Sequence, residues 1–410
     1  MSLRVAALAL CLGAAACDEP DEETEDDTGV APEEDSLVPD DSDTTEVIVP
    51  PEDTAAAARA AAEYQALYDP DLLHSVALTL TDADIAALSA DPTTYVPATV
   101  TLDGQTFEQV GVRLRGGPDG EDWSAKPAFR IRLDAFDLDT DFAGLERIVL
   151  DNLADDPTQL RLVMALKLLN DAGLPAPRAV FTTLQVNGED FGLYVNVEEV
   201  DERFVNHHFA DDGGTLWEAE DSADFTAAGV NHLEWVAGDN LRTRLDDAAR
   251  LCATENFYDD TNTIIDLKQF VTYWSWTIAV GTTDSYPYDL NDFYTYDNPE
   301  DGRFEVIPWA LDEGWDTGMS WDAVSGTLGF RCRSDPDCFQ QIKDATTVAL
   351  TAIEAADVPG QAQTAADLVE ATVQTDPRRS VALSEVWAAQ ARFLSRVGTW
   401  PDRVRADMGI

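Results

Sequence analysis

Whatever chemistry this chain can do rests on a few polar residues at the ends of apolar runs. Lys126, one of very few lysines, immediately precedes the alternating run PAFRIRL, and Glu198 and Glu199 close the run GLYVNV. Asp284 and Asn291 follow the aromatic-rich stretch Leu267 to Val280, and Asp312 follows VIPWAL. A lysine to hold phosphates, a carboxylate to orient it, a base for an acceptor hydroxyl, and Asn with Asp for a divalent cation are the parts that phosphoryl transfer requires. The plain alternative for each is a solvated or turn-capping side chain, because 79 acids let almost any Asp be fitted to a role. Other signatures are absent: the chain has no GxxxxGK[ST], no GxGxxG after a strand, no HExxH and no GxSxG. Adjacent His207 and His208 point to different faces and are read as surface residues. Asp137, Asp139 and Asp141 imitate the start of a calcium loop, but Phe142 stands where its glycine belongs and Ile148 where its glutamate belongs.

The elements that must position these residues follow from periodicity. An Ala-rich helix is expected over Thr54 to Tyr68, then a strand and a short helix in HSVALTLTDADIAAL with Asp82 suited to cap it. YVPATVTLDGQTFEQVGVRLRG and PAFRIRLDAF alternate at period two, and Asp103-Gly104 is a hairpin turn, so an antiparallel sheet is expected. Arg113 and Arg115, two apart, face one side of their strand. DPTQLRLVMALKLLNDAGL reads as a helix stopped by Gly173 and Pro175, and strands return around the Asn187-Gly188 turn. Leu267 to Val280 reads as a buried helix. DFYTYDNPEDGRFEVIPWALD reads as two strands, and the end as helical from about Gln361, broken by Pro377 and Pro401. The fold class is α+β, with a sheet-rich N-terminal lobe (about 70–215), a helix-rich C-terminal lobe (about 216–410) and a cleft between them.

Hydrophobic residues at 45% and charged residues at 26% describe an ordinary globular chain, but the net charge is −53. A phosphate-tracking protein needs a basic face, so nucleic-acid binding is excluded as a function class. Residues 18–56 form an acidic linker with no Lys or Arg between Asp18 and Asp53, expected to be a disordered tether. Residues 1–17 read as an export signal: one arginine, an apolar run too short to span a bilayer, then Ala14-Ala15-Ala16 before Cys17. Cys17 followed by the linker resembles the bacterial lipoprotein pattern, although Ala14 stands where Leu is usual; plain secretion is the alternative. Export to the cell envelope or beyond is therefore expected, with membrane contact only through a lipid on Cys17. In an oxidising compartment a local Cys332–Cys338 disulfide is the economical pairing. Cys252 is then a buried thiol, or else it pairs with one of the other two.

VGVRLRGG, KPAFRIRLDAF, LERIVLDNLADDPTQLR, VNGEDFGLYVNVEEVD, GGTLWEAEDSADF, TDSYPYDLNDFYTYDN and GRFEVIPWALD, in that order, resemble the CotH family, the spore-coat-protein-H-like atypical kinases. The resemblance runs from about His74 to the C-terminus and assigns residues 57–410 to one kinase-like domain. It implies a diverged, two-lobed protein-kinase-like fold that uses ATP with Mg or Mn to phosphorylate Ser or Thr of secreted or envelope proteins. Carried over residue by residue, it implies that Asp284 is the catalytic base and that Asn291 and Asp312 are metal ligands. It implies further that Lys126, with Arg115, contacts phosphates and that Glu198 orients Lys126. The chain departs from the family at Ala310, in the first acidic place of W-D-x-D, at Asp292, where the family has Asn, and in the acidic loop GPDGEDW. The alternative is an inactive envelope lipoprotein that keeps the fold as a binding or structural module. A monomer is expected; the protein substrate is not legible.

Overall fold

The computed structural model describes residues 54–115, 123–138, 140–315 and 320–410; the leader, the acidic linker up to Asp53 and the loop 116–122 lie outside the described residues. Helix α1 (Thr54–Leu67) leads into β1 (His74–Thr79), α2 (Asp82–Ala90), β2 (Val96–Leu102), β3 (Gln105–Arg115), β4 (Ala128–Arg132), β5 (Arg147–Asp151), α3 (Arg161–Asp171), β6 (Ala179–Val186) and β7 (Glu189–Val197). These seven strands close into a barrel of order β1-β2-β3-β4-β5-β7-β6. The sequence reading expected an antiparallel sheet; every pairing is antiparallel except the closing one, where β1 lies parallel to β6. Closure needs that pairing because β1 joins β2 on one side only, and the other edge would be left with unpaired backbone groups. Two hairpins turn where expected, with Asp103, Gly104, Asn187 and Gly188 all at positive φ.

After the barrel come α4 (Glu202–His208), β8 (Thr215–Ala219), β9 (Leu233–Ala237), α5 (Arg242–Cys252), α6 (Phe257–Thr261), α7 (Leu267–Val280), α8 (Tyr286–Asp289), β10 (Phe293–Asn298) and β11 (Arg303–Pro308). The four strands form a second sheet of order β11-β10-β8-β9. Helices α9 (Thr327–Ser334), α10 (Pro336–Ala355), α11 (Val358–Thr375), α12 (Leu383–Val397) and α13 (Trp400–Met408) complete the chain. Among the described residues no helix is long and apolar enough to cross a membrane.

Alternation along the barrel strands divides the core in two. Val112, Leu114, Phe129, Ile131, Ile148 and Leu150 point into the barrel. The outward set of β5, β6 and β7, including Val149, Phe181, Val195 and Val197, packs with the aromatic helix α7 and the C-terminal helices. This second cluster fixes the cleft, because it holds the barrel rim against the segments that follow α7 and β11. The Cys332–Cys338 bridge is formed, with Cα atoms 5.1 Å apart, and joins α9 to α10 where a plain loop was expected; Cys252 is a buried free thiol. Of the two histidines expected at the surface, His207 is exposed, but His208 is largely covered, its Nε2 3.8 Å from Glu198.

Candidate functional site

Strands β3 and β5 run in the same direction, both antiparallel to β4, so their last residues, Arg115 and Asp151, reach the same rim. The Arg115 guanidinium lies 3.1 Å from the Asp151 carboxylate and packs over the Trp309 ring, 5.6 Å from its centroid. Asp284 reaches this rim from the end of α7, where Gly281 at φ 75 turns the chain; a side chain there would run into Trp400. Asp312 reaches it from the segment after β11, which is tied back to α7 by the Trp315 amide donating to Val280 O at 2.6 Å.

A cavity of about 190 Å³ is lined by Arg115, Asp151, Asp155, Asp284, Trp309, Ala310 and Asp312, among others. A second, of about 270 Å³, shares Arg115 and Trp309 with it and adds Asn291, Asp292, Glu218, Glu220, Asp221 and Tyr294. The two cavities are neighbouring parts of one cleft divided by Trp309. Asn291 stands between two residues in the left-handed region, Leu290 at φ 60 and Asp292 at φ 50. Its Oδ1 is buried without a partner.

The electrostatics of the cleft are those of carboxylates short of positive charge. Burial and then the neighbouring Asp292 push the Asp284 carboxyl up to about 9. The neighbouring Asp292 carboxyl is raised as well, chiefly by burial. Burial, then Asp151, Asp156 and Asp292, push Asp312 up to about 7. Only oxygen donors converge here, which suits a hard divalent cation rather than a soft one. Among the described residues, no three of His, Cys, Asp and Glu gather closely enough to enclose an ion by themselves. A magnesium ion held by one or two carboxylates and completed by substrate phosphates needs no such enclosure.

The structure thus brings Arg115, Asp284 and Asp312 to one cavity and Asn291 to its neighbour, but leaves Lys126 and Glu198 out of both. Lys126 is buried with its Nζ 2.7 Å from Asp376, in the connection between α11 and α12, and 5.1 Å from the centre of the Tyr194 ring. Glu198 binds Arg178 at 2.8 Å and accepts from the Tyr64 hydroxyl of α1. The expected Lys126–Glu198 pair is therefore not formed: each finds a nearer partner of opposite polarity, and burial makes those partnerships obligatory. The next residue, Glu199, pairs with Arg130 at 3.0 Å. Sequence reasoning missed Asp151, Asp155 and Trp309. Asp151 carried a usable signal, since it ends the apolar run Ile148-Val149-Leu150.

The CotH kinase protein family matches residues 112–379. The inner spore coat protein H of Bacillus subtilis (strain 168) is 26% identical over 187 residues, covering 42% of this chain and 51% of that protein. The chain thus spans about half the length of that curated relative. Among solved structures, the Helicobacter pylori proinflammatory kinase CtkA is 9% identical with a TM-score of 0.32, covering 72% of this chain and 96% of that one. The Shewanella oneidensis MR-1 toxin–antitoxin assembly of HipA and HipB with its operator DNA is 9% identical with a TM-score of 0.35, covering 81% and 74%. With the family match extending over more than half its length, from inside β3 to just past α11, the chain belongs to the CotH kinase protein family.

Proposed function

We propose that the chain is an atypical kinase that transfers the terminal phosphoryl group of ATP to a Ser or Thr hydroxyl of an exported or envelope protein. The observation that carries this reading is the convergence of Arg115, Asp284 and Asp312 on one cavity, with Asn291 and Asp292 beside it. Arg115 positions the phosphates, its fork suited to paired oxygens. Asp312, Asp292 and Asn291 would hold Mg²⁺ or Mn²⁺, which would supply neutralisation of charge on the transferred group. Asp284, in its ionised form, accepts the proton of the acceptor hydroxyl. Ala310 lines the cavity with a methyl group that cannot ligate a metal. Asp151 and Asp292 supply the negative charge that this position lacks. Lys126 has no part in phosphate contact; its charge is spent on Asp376.

Export and anchoring through Cys17 complete the proposal and would put the cleft outside the cytoplasm; intact mass of the mature N-terminus tests them. The activity is tested with labelled ATP and Mn²⁺ or Mg²⁺. Label should enter the protein or a generic acceptor and disappear in Asp284→Ala. Absence of both labelling and ATP-induced thermal stabilisation overturns the proposal in favour of an inactive scaffold, since even weak binding raises the melting temperature at saturating ligand.

A further inference from the structure

Outside both cavities, one buried carboxylate ties the start of α9 to the segment that carries Asp284. Asp224, in the connection between β8 and β9, accepts through Oδ1 from the Tyr286 hydroxyl at 2.8 Å, the Thr327 amide at 3.0 Å and the Phe225 amide at 2.8 Å. Its Oδ2 accepts from the Thr327 hydroxyl at 2.6 Å. One side chain thereby caps the start of α9 and pins Tyr286, whose hydroxyl in turn accepts from the Leu328 amide at 3.1 Å.

Tyr286 stands two residues after Asp284 and is fully buried. Its ring packs 4.8 Å from Phe293, the residue after Asp292, and 5.9 Å from Phe270 of α7. Both ends of the segment from Asp284 to Asp292 therefore bear on this one ring. The residue before Asp224 holds the same segment a second time, through the Ala223 amide donating to Leu290 O at 3.1 Å. Leu290 and Asp292 are in the left-handed region. Such backbone is costly for residues with a Cβ and persists only where its surroundings over-determine it. The β8–β9 connection supplies part of that determination at Leu290, and the Trp309 amide, donating to Asp292 O at 3.1 Å, supplies part at Asp292.

We propose that Asp224 is a positioning residue: through Tyr286 it holds the segment from Asp284 to Asp292 in the conformation that aims both carboxylates into the cleft. The kinetic half of this inference rests on the kinase reading above, and the conformational half does not.

The test compares Asp224→Asn with Tyr286→Phe, the latter removing a single hydroxyl. A hydrogen bond to a charged group is strong enough that both variants should speed amide hydrogen exchange in 284–292 by about tenfold or more. Exchange in the barrel strands should be unchanged. With Mn²⁺ and ATP, kcat should fall by about tenfold or more because Asp284 is misplaced, and KM for ATP should rise by a smaller factor because Asn291 and Asp292 lie on the same segment. The double variant should be no worse than the worse single, because Asp224→Asn, by removing the charge, weakens the same bond that Tyr286→Phe deletes. Unchanged exchange in 284–292, or equal acceleration throughout the molecule, overturns the proposal. A rise in KM with kcat unchanged also overturns it. Wild-type protein that transfers no phosphate defeats the kinase reading alone, and exchange then decides the positioning role. Should Asp224→Asn fail to fold, Tyr286→Phe decides it.

Discussion

Asp284, Asp292 and Asp312 set the response of the cleft to pH. Free aspartate loses its proton near pH 4. Here burial and mutual repulsion hold Asp284 at about 9 and Asp312 at about 7, so the folded chain keeps protons that the unfolded chain has released. Folding stability contributed by these groups is therefore highest in acid and falls as pH rises between those limits. A divalent cation bound as proposed would offset the loss, so the rise in melting temperature on adding Mn²⁺ should grow from pH 5 to pH 8.5, as read by differential scanning fluorimetry. Asp284→Asn should reduce that growth, leaving the part due to Asp312, while raising the melting temperature of the metal-free protein above neutral pH by a few degrees, about 1 kcal/mol or less. Lys126 gives a separate outcome. Removing one partner of a buried pair costs about 3–5 kcal/mol, so Lys126→Ala should lower the denaturant midpoint severely. Combining Lys126→Met with Asp376→Asn should recover most of the loss, as expected of a strut and not of a phosphate contact.

At the level of elements, most of the chain was legible where periodicity and turn chemistry agree. The hairpins at Asp103-Gly104 and Asn187-Gly188, the helix Leu267–Val280 and the β10–β11 pair stand where the sequence puts them. The misreadings are at prolines. Pro336 and Pro401 sit in the first turn of α10 and α13, where the missing N–H costs nothing, so they begin helices that were read as loop or break. Asp82 was read as a cap, but Thr81 caps α2 together with Asp84. The cleft was legible in part. Arg115, Asp284, Asn291 and Asp312 were found because each ends or follows an apolar run. The partners of Lys126 and Glu198 were not, because Asp376 and Tyr64 are distant in sequence and only closure of the fold brings them near. The α9–α10 corner makes its own prediction. Replacing Cys332 and Cys338 by Ser should cost about 2 kcal/mol, measured as a fall in melting temperature. Cys252, pushed up to about 12 by burial, should resist iodoacetamide at pH 8 until the protein is unfolded.

For the whole molecule, a net charge of −53 means that compaction works against self-repulsion. Screening should relieve it, so stability should rise with NaCl from about 10 mM to about 0.5 M, a trend that chemical denaturation at each salt concentration will read. Parallel contact between β1 and β6 has a practical corollary. The family match begins only at Val112, inside β3, so a fragment cut at that boundary would lose α1, α2, β1 and β2. Such a fragment is a cask missing two staves: its wall can no longer meet itself, β6 and the stub of β3 present raw edges, and clumping in solution rather than a smaller folded domain is what the cut should yield.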